Sequence, residues 1–354
     1  MNDTGRAGAG MGGIAHPFDR RPAPGEALEV ADGVLWMRIT LPMVLNHVNV
    51  YALDDGDGWT IVDTGMMTDQ ARAEWQALLA GPLGGKPVRR VMVTHHHPDH
   101  VGLAGGFVAR GAELCIPRTG LYLTRMLTLD VQAVHRPEAL AFYRRCGLPP
   151  DRMARLERER PYNFVDRVEY LPLGYTRLRE GGVIRMGGRD WDIRMGDGHA
   201  PEQATFWSRD DALVIGADQL LPGISPNLGV YPTEPEADPV AEWIASCDRL
   251  APFARDDQLV LPGQKLPFTG LPFRLWQMVR NHHAALDRLE EALARPLTVP
   301  DSFAALYMRE IGDGEYSLAL AEAVGHLNHL HQTGRARRWL AEDGAWRWLR
   351  HDVA

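Results

Sequence analysis

The segment Val93-Thr94-His95-His96-His97-Pro98-Asp99-His100-Val101-Gly102 places four metal-type donors, His95, His97, Asp99 and His100, within six positions. The run before it, Val88 to Val93, reads as a buried strand. Two imidazoles at i and i+2 on a strand end point the same way, so His95 and His97 can grip one ion. Asp99 and His100 turn onto the next segment and face a second ion beside the first. A solvated polar loop is the plain alternative, but it leaves this density of donors unexplained. The chemistry indicated is that of a catalytic metal site.

Three later segments offer partners. Gly196-Asp197-Gly198-His199-Ala200-Pro201 sets a single histidine in a tight turn after a strand. Ile215-Gly216-Ala217-Asp218 ends an apolar strand on a carboxylate, and Val260-Leu261-Pro262-Gly263-Gln264 ends another on an amide. Strand ends and the loops beyond them are where a rigid sheet collects functional groups.

The elements that must position these groups follow from pattern. Residues 27 to 64 alternate as strands, and Asp54-Asp55-Gly56-Asp57-Gly58 has hairpin-turn chemistry. A helix is expected from Thr68 to Leu79. After the donor cluster come a glycine-containing helix to about Arg110 and a short strand from Glu113 to Ile116. Helical spacing over about 119–181 predicts an insertion, with Met126, Phe142 and Tyr143 as an apolar wall for a substrate. A second strand-rich stretch runs from Val183 to Val260. Two strand-rich halves, each with helices, predict an α+β four-layer sandwich. After Gly270 two long helices are expected, Phe273 to Leu293 and Ser317 to Leu330, then a wing-like hairpin around Gly344. The expected divisions are a flexible tail over 1–26, a main domain over 27–270 and a mainly helical, winged-helix-like C-terminal domain over 271–354.

Composition narrows the class. The chain has 354 residues, 45% of them hydrophobic, and a net charge of −8. That balance fits a globular protein with a full core and argues against nucleic acid or an anionic membrane as partner. Three widely spaced cysteines, Cys115, Cys146 and Cys247, fit reduced core thiols. The start lacks a signal-peptide pattern, so a cytoplasmic location is expected. A small molecule is the expected substrate, and an oligomer is compatible with the sequence.

By the order and spacing of these motifs, Leu45 to Phe268 resembles the metallo-β-lactamase superfamily of metal-dependent hydrolases, in its glyoxalase II-like or lactonase-like branch. The resemblance implies an αββα sandwich with the first metal on His95, His97 and His199. It implies a second metal on Asp99, His100 and a final residue, with Asp218 bridging the two. Asp63, in Val62-Asp63-Thr64-Gly65, corresponds to a carboxylate that orients a ligand imidazole. Two positions depart from the pattern. Gln264 stands where the family's last motif usually has histidine, and Gln203 where many relatives carry one. An amide oxygen is a harder and weaker donor than imidazole.

The expected cofactor is one or two divalent ions, zinc first, with iron or manganese as alternatives at the second position. The expected reaction is attack by a metal-bound hydroxide on an ester, thioester, lactone or related electrophilic centre, with Asp99 and Asp218 as the catalytic carboxylates. The alternatives are an RNA-processing metallonuclease of the same fold and a degenerate metal site used for binding. His47 reads as a hairpin histidine. His282, His283, His326, His329 and His331 read as packing or surface residues of helices. The terminal arginines Arg335, Arg337, Arg338, Arg347 and Arg350 read as parts of a packed wing.

Overall fold

The computed structural model describes residues 13–351. In chain order its strands and helices are β1 (Ala27–Ala31), β2 (Val34–Thr40), β3 (His47–Asp54), β4 (Trp59–Val62), α1 (Asp69–Ala80), β5 (Val88–Met92), α2 (Pro98–Val101), α3 (Ala104–Ala109), β6 (Glu113–Pro117), α4 (Arg118–Leu129), α5 (Pro137–Arg145) and α6 (Pro150–Arg158). Then follow β7 (Thr176–Leu178), β8 (Val183–Met186), β9 (Arg189–Gly196), β10 (Gln203–Ser208), β11 (Leu213–Ala217), α7 (Pro239–Leu250), β12 (Leu259–Pro262), α8 (Leu271–Ala292), α9 (Phe303–Tyr307), α10 (Tyr316–Gln332), β13 (Ala336–Leu340) and β14 (Trp346–Arg350).

Strands β1 to β7 form one sheet in sequence order, and β12-β11-β10-β9-β8 form a second. Their facing sides share one core, where Trp36, Tyr51, Val62 and Met92 meet Trp191, Met195, Phe206 and Leu261. On the outer face of the first sheet, Ile39, Val50 and Val91 pack against Trp75 and Leu78 of α1 and Phe107 of α3. On the outer face of the second, Trp207, Val214 and Val260 pack against Trp243 of α7, Met278 of α8 and Leu327 of α10. Helix, sheet, sheet and helix therefore lie in four layers. With both faces covered, β3 and β4 are buried along nearly their whole length.

Local signals set the helix starts. Thr68 caps α1 by accepting the Ala71 N–H, and Asp238 caps α7 by accepting the Ala241 N–H ahead of Pro239.

Three expectations need correcting, and one helix was not placed. The segment up to residue 26 is not a free tail where it is described. Ala15 exchanges backbone hydrogen bonds with Thr269, and Phe18 rests against Trp36; residues 1–12 lie outside the described range. The insertion is helical only at first, because β7 returns to the first sheet and pairs in parallel with β6. The strand-rich stretch from Val183 to Val260 also carries a helix whose position was not foreseen, α7, buried through Val240, Trp243 and Cys247 on one face. Phe142 and Tyr143 turn away from the donor cluster, and Phe142 meets Trp346 of the terminal hairpin edge-on. Met126 is exposed.

The C-terminal helices end in the antiparallel hairpin β13–β14. His282 and His326 stack inside this layer, ring centroids 5.5 Å apart, and His329 pairs with Asp238. All three cysteines are buried and free. No described helix is long and apolar enough to cross a membrane.

Candidate functional site

The Val62-Asp63-Thr64-Gly65 turn at the end of β4 organises one side of the site. Asp63 has φ 60°, a left-handed conformation that aspartate tolerates better than most residues. There its Oδ1 accepts the Thr94 backbone N–H at 2.8 Å, and its Oδ2 accepts the Thr94 hydroxyl at 2.8 Å and His100 Nδ1 at 2.7 Å. The Thr94 oxygen lies 3.0 Å from His95 Nδ1. Thr64 clamps the next turn, donating its hydroxyl to the His100 carbonyl and accepting the Leu103 N–H. One carboxylate thus fixes the tautomer of His100 with Nε2 turned inward, and through Thr94 it steadies His95.

His95 follows β5, His97 stands at the start of α2, and His199 comes from the turn after β9. Gly198 makes that turn at φ 97°, and a Cβ on it would lie 2.5 Å from the Pro239 carbonyl. Here three nitrogens converge: His97 Nδ1 lies 3.0 Å from both His95 Nε2 and His199 Nε2. His199 Nδ1 meets the Asn227 carbonyl at 2.9 Å, which leaves Nε2 as a lone-pair donor. Burial first, then neighbouring histidines, hold His95 and His97 well below the ordinary imidazole pKa. Neutral imidazoles are what a cation requires.

The second group adjoins the first. Asp218 follows β11, and its Oδ2 lies 3.4 Å from His100 Nε2 and 3.5 Å from His199 Nε2, between the two donor sets. Asp99 Oδ2 is 3.5 Å from His100 Nε2. Burial disfavours a charged His100, yet Asp99, Asp218 and Asp63 outweigh it and hold its pKa well above ordinary. Gln264, after β12, is buried and donates its amide to Asp99 Oδ2 at 3.1 Å. Gly263 lets this loop come close, since a Cβ there would lie 2.2 Å from Asp218 Oδ1.

The atoms left over test whether a cation fits. His100 Nε2, Asp218 Oδ1 and Gln264 Oε1 are all buried without a hydrogen-bond partner. Buried polar atoms are rarely left so, and these three are a nitrogen and two oxygens of ligand type. Close groupings occur for His95, His97 and His199, and for His95, His100 and Asp218. The donor chemistry fits divalent ions. Asp63, Glu202, Ala217 and Lys265 all have positive φ, so four of the strained non-glycine positions border this site.

All eight residues singled out in the sequence meet here: His95, His97, Asp99, His100, His199, Asp218, Gln264 and Asp63. The walls were not foreseen. Phe164 stacks on His96 with ring planes 11° apart, and Tyr162 meets Phe164 edge-on. From α10, the carboxyl of Glu322 is raised to about 7, mostly by burial, with Tyr307 and His199 opposing. Asn227 contributes only a backbone oxygen, which no side-chain pattern announces. Gln203 is buried beside Gln219 at 3.3 Å and takes no place among the converging donors.

Known proteins share this fold. The sequence profile of the metallo-β-lactamase superfamily matches residues 43–260, and that of the metallo-β-lactamase-like C-terminal domain matches residues 286–351. A probable metallo-hydrolase of Bacillus subtilis, YqjP, is 25% identical over 315 residues, covering 84% of this chain and 92% of its own. The crystal structure of a β-lactamase domain protein from Burkholderia ambifaria is 33% identical, with a TM-score of 0.83 over 95% of this chain and 98% of that one. A metallo-β-lactamase family protein of Thermus thermophilus is 25% identical, with a TM-score of 0.75 over 91% of this chain and 100% of that one. The chain belongs to the metallo-β-lactamase superfamily of metal-dependent hydrolases.

Proposed function

We propose that this chain hydrolyses an ester, thioester or lactone of a small molecule at a centre of two divalent ions. His95, His97 and His199 would hold the first, Asp99, His100 and Gln264 the second, and Asp218 would face both. The observation that carries this is the convergence of three imidazole nitrogens beside a second set in which His100 Nε2, Asp218 Oδ1 and Gln264 Oε1 lack hydrogen-bond partners. Ions held there supply Lewis acidity, giving a water nucleophile at neutral pH and a polarised substrate carbonyl. Zinc suits the imidazole-rich position, and the oxygen-richer second position also suits manganese or iron.

The protein's own groups have separate tasks. Asp63 keeps His100 in one tautomer. Asp218 and Asp99 offset positive charge, and Asp218 is placed to accept a proton from an attacking water. Phe164 and Tyr162, from the end of the insertion, would give the substrate an apolar wall. Three terminal arginines are already engaged, Arg335 with Asp287 and Glu290, Arg338 with Glu236 and Arg347 with Asp343. That pairing supports a packed structural role for the hairpin over an RNA-binding one.

The test is turnover by metal-loaded protein on a panel of thioesters, lactones, aryl esters and RNA. The expected result is hydrolysis of a small acyl substrate that Asp218→Asn abolishes while the fold is kept. Cleavage of RNA with no acyl turnover would overturn the reading.

A further inference from the structure

A cavity of about 400 Å³ opens beside the donor cluster, with Arg21, Arg38, His47, Pro222 and Lys265 among its lining residues. Its walls are the start of β3, the strand β2, the loop after β11 and the residue after Gln264. Of the nine lining residues, three carry permanent positive charge and none is a carboxylate. Elsewhere a partly buried arginine meets a carboxylate, as Arg189 meets Asp211. Arg38 is only partly exposed, and its Nε is buried with no partner.

Like charges in a half-enclosed cleft repel one another, and a guanidinium taken from water without a counter-ion is costly. The Arg38 pKa reflects this: burial first, then Arg21, pull it down to about 10. Nor does the cluster form by default. Lys265 sits at φ 69°, in left-handed backbone, and that turn is fixed by its own N–H donating to His47 Nε2 at 3.3 Å and by Asn49 donating to its carbonyl at 2.8 Å. These hydrogen bonds hold the Lys265 backbone in its left-handed turn and so fix where its side chain leaves the chain, beside the donor cluster.

We infer that this cavity is a binding subsite for an oxyanion, a carboxylate or phosphate group of a small-molecule ligand, held by Arg38 with Arg21 and Lys265. Guanidinium groups present paired N–H donors that match two oxygens of such a group, and a lysine adds a point charge. The cavity exceeds the size of a bare ion and shares the 264–265 turn with the donor cluster. A ligand anchored here by its anionic end therefore has its other end toward Asp99 and Asp218. Only this last step rests on the hydrolase reading; anion binding stands without it.

The test is calorimetric titration of orthophosphate, and separately of succinate, into metal-loaded wild-type protein and into Arg38→Gln and Arg21→Gln, with metal content checked in each. Saturable, salt-sensitive binding that weakens at least about tenfold in Arg38→Gln, and less in Arg21→Gln, is expected. Succinate and phosphate binding alike assigns a general oxyanion site, and one of them alone names the group. Arg38→Gln should also melt no lower than wild type when no anion is present, because it removes an unpaired cation. Binding that is absent in wild type overturns the inference, and so does binding that is unchanged in both variants, which belongs to the metal centre. A lowered melting temperature in Arg38→Gln with anion binding intact assigns Arg38 a structural role and overturns it as well.

Discussion

Asp63→Asn changes one atom and should cost the second metal ion while sparing the first. Three donors face this carboxylate: the Thr94 backbone N–H, the Thr94 hydroxyl and His100 Nδ1. The backbone N–H cannot turn, so the amide oxygen must stay opposite it. The amide nitrogen then confronts His100 Nδ1, donor against donor. The imidazole escapes by keeping its proton on Nε2, the atom facing Asp99 and Asp218, and so withholds the lone pair that a second ion would need. Substitution of a group that orients a ligand typically weakens metal affinity by about 10 to 100-fold, on the order of 1.4 to 2.8 kcal/mol. Loss of the ligand's lone pair puts this case at the upper end. His97 and His199 do not touch Asp63, and His95 meets it only through Thr94, so the first position should change by less than about tenfold. Asparagine also tolerates the left-handed backbone at this position, so the fold should survive. Elemental analysis after dialysis, calorimetric titration of metal-stripped protein and circular dichroism together read the outcome. A folded D63N protein that binds two ions as tightly as wild type would refute the orienting role.

Three more outcomes follow from other residues. Gln264→His should tighten the second ion by at least about tenfold over wild type, because imidazole is the stronger donor; equal tight affinity of both wild-type positions would contradict this. Gly263→Ala should lower turnover by about 100-fold, since its Cβ would lie 2.2 Å from Asp218 Oδ1 and push a reacting group aside by about 1 Å; kinetics on the folded variant decide it. His282 and His326 are held at about 3 and about 4 by burial, then by each other for His282. Their ordinary value is 6.5, so the unfolded chain binds more protons below that pH. Stability is therefore complete above about 6.5 and falls as pH drops toward 4. The His326 contribution is on the order of 3 kcal/mol, and urea melts across that range should be flatter in His326→Gln. An equally steep loss in the variant would place the acid sensitivity elsewhere.

The donor cluster was legible because its logic is local. His95, His97, Asp99 and His100 share one turn, and a metal site demands particular atoms at short spacing. Asp63, His199, Asp218 and Gln264 lie far apart in sequence, yet each ends a strand, and the two sheets bring those ends together. The four-layer order was legible for the same reason: strand and helix periodicities differ, and both appear in each half. What failed was long-range. Phe142 has helical spacing with an apolar face, but nothing in that spacing says whether the face meets a substrate or Trp346. Helix α7 was lost inside a strand-rich stretch, although Asp238-Pro239 carries a helix-start signal that its context obscured. Ala15 and Phe18 looked like tail because glycine and proline surround them, and only the partners Thr269 and Trp36 seat them. Tyr162 and Phe164 reach the site by the path of the insertion, which no local pattern encodes.

The central claim is that two ions sit among these residues in a fixed division of ligands. Anomalous diffraction from crystals of metal-loaded protein, collected on either side of the metal's absorption edge, measures this directly. One peak bonded to His95, His97 and His199 is expected, and a weaker one beside Asp99, His100 and Gln264, with Asp218 reaching toward both. A single peak outside this cluster, or metal-loaded crystals with no peak within bonding distance of His95, His97 and His199, would contradict it.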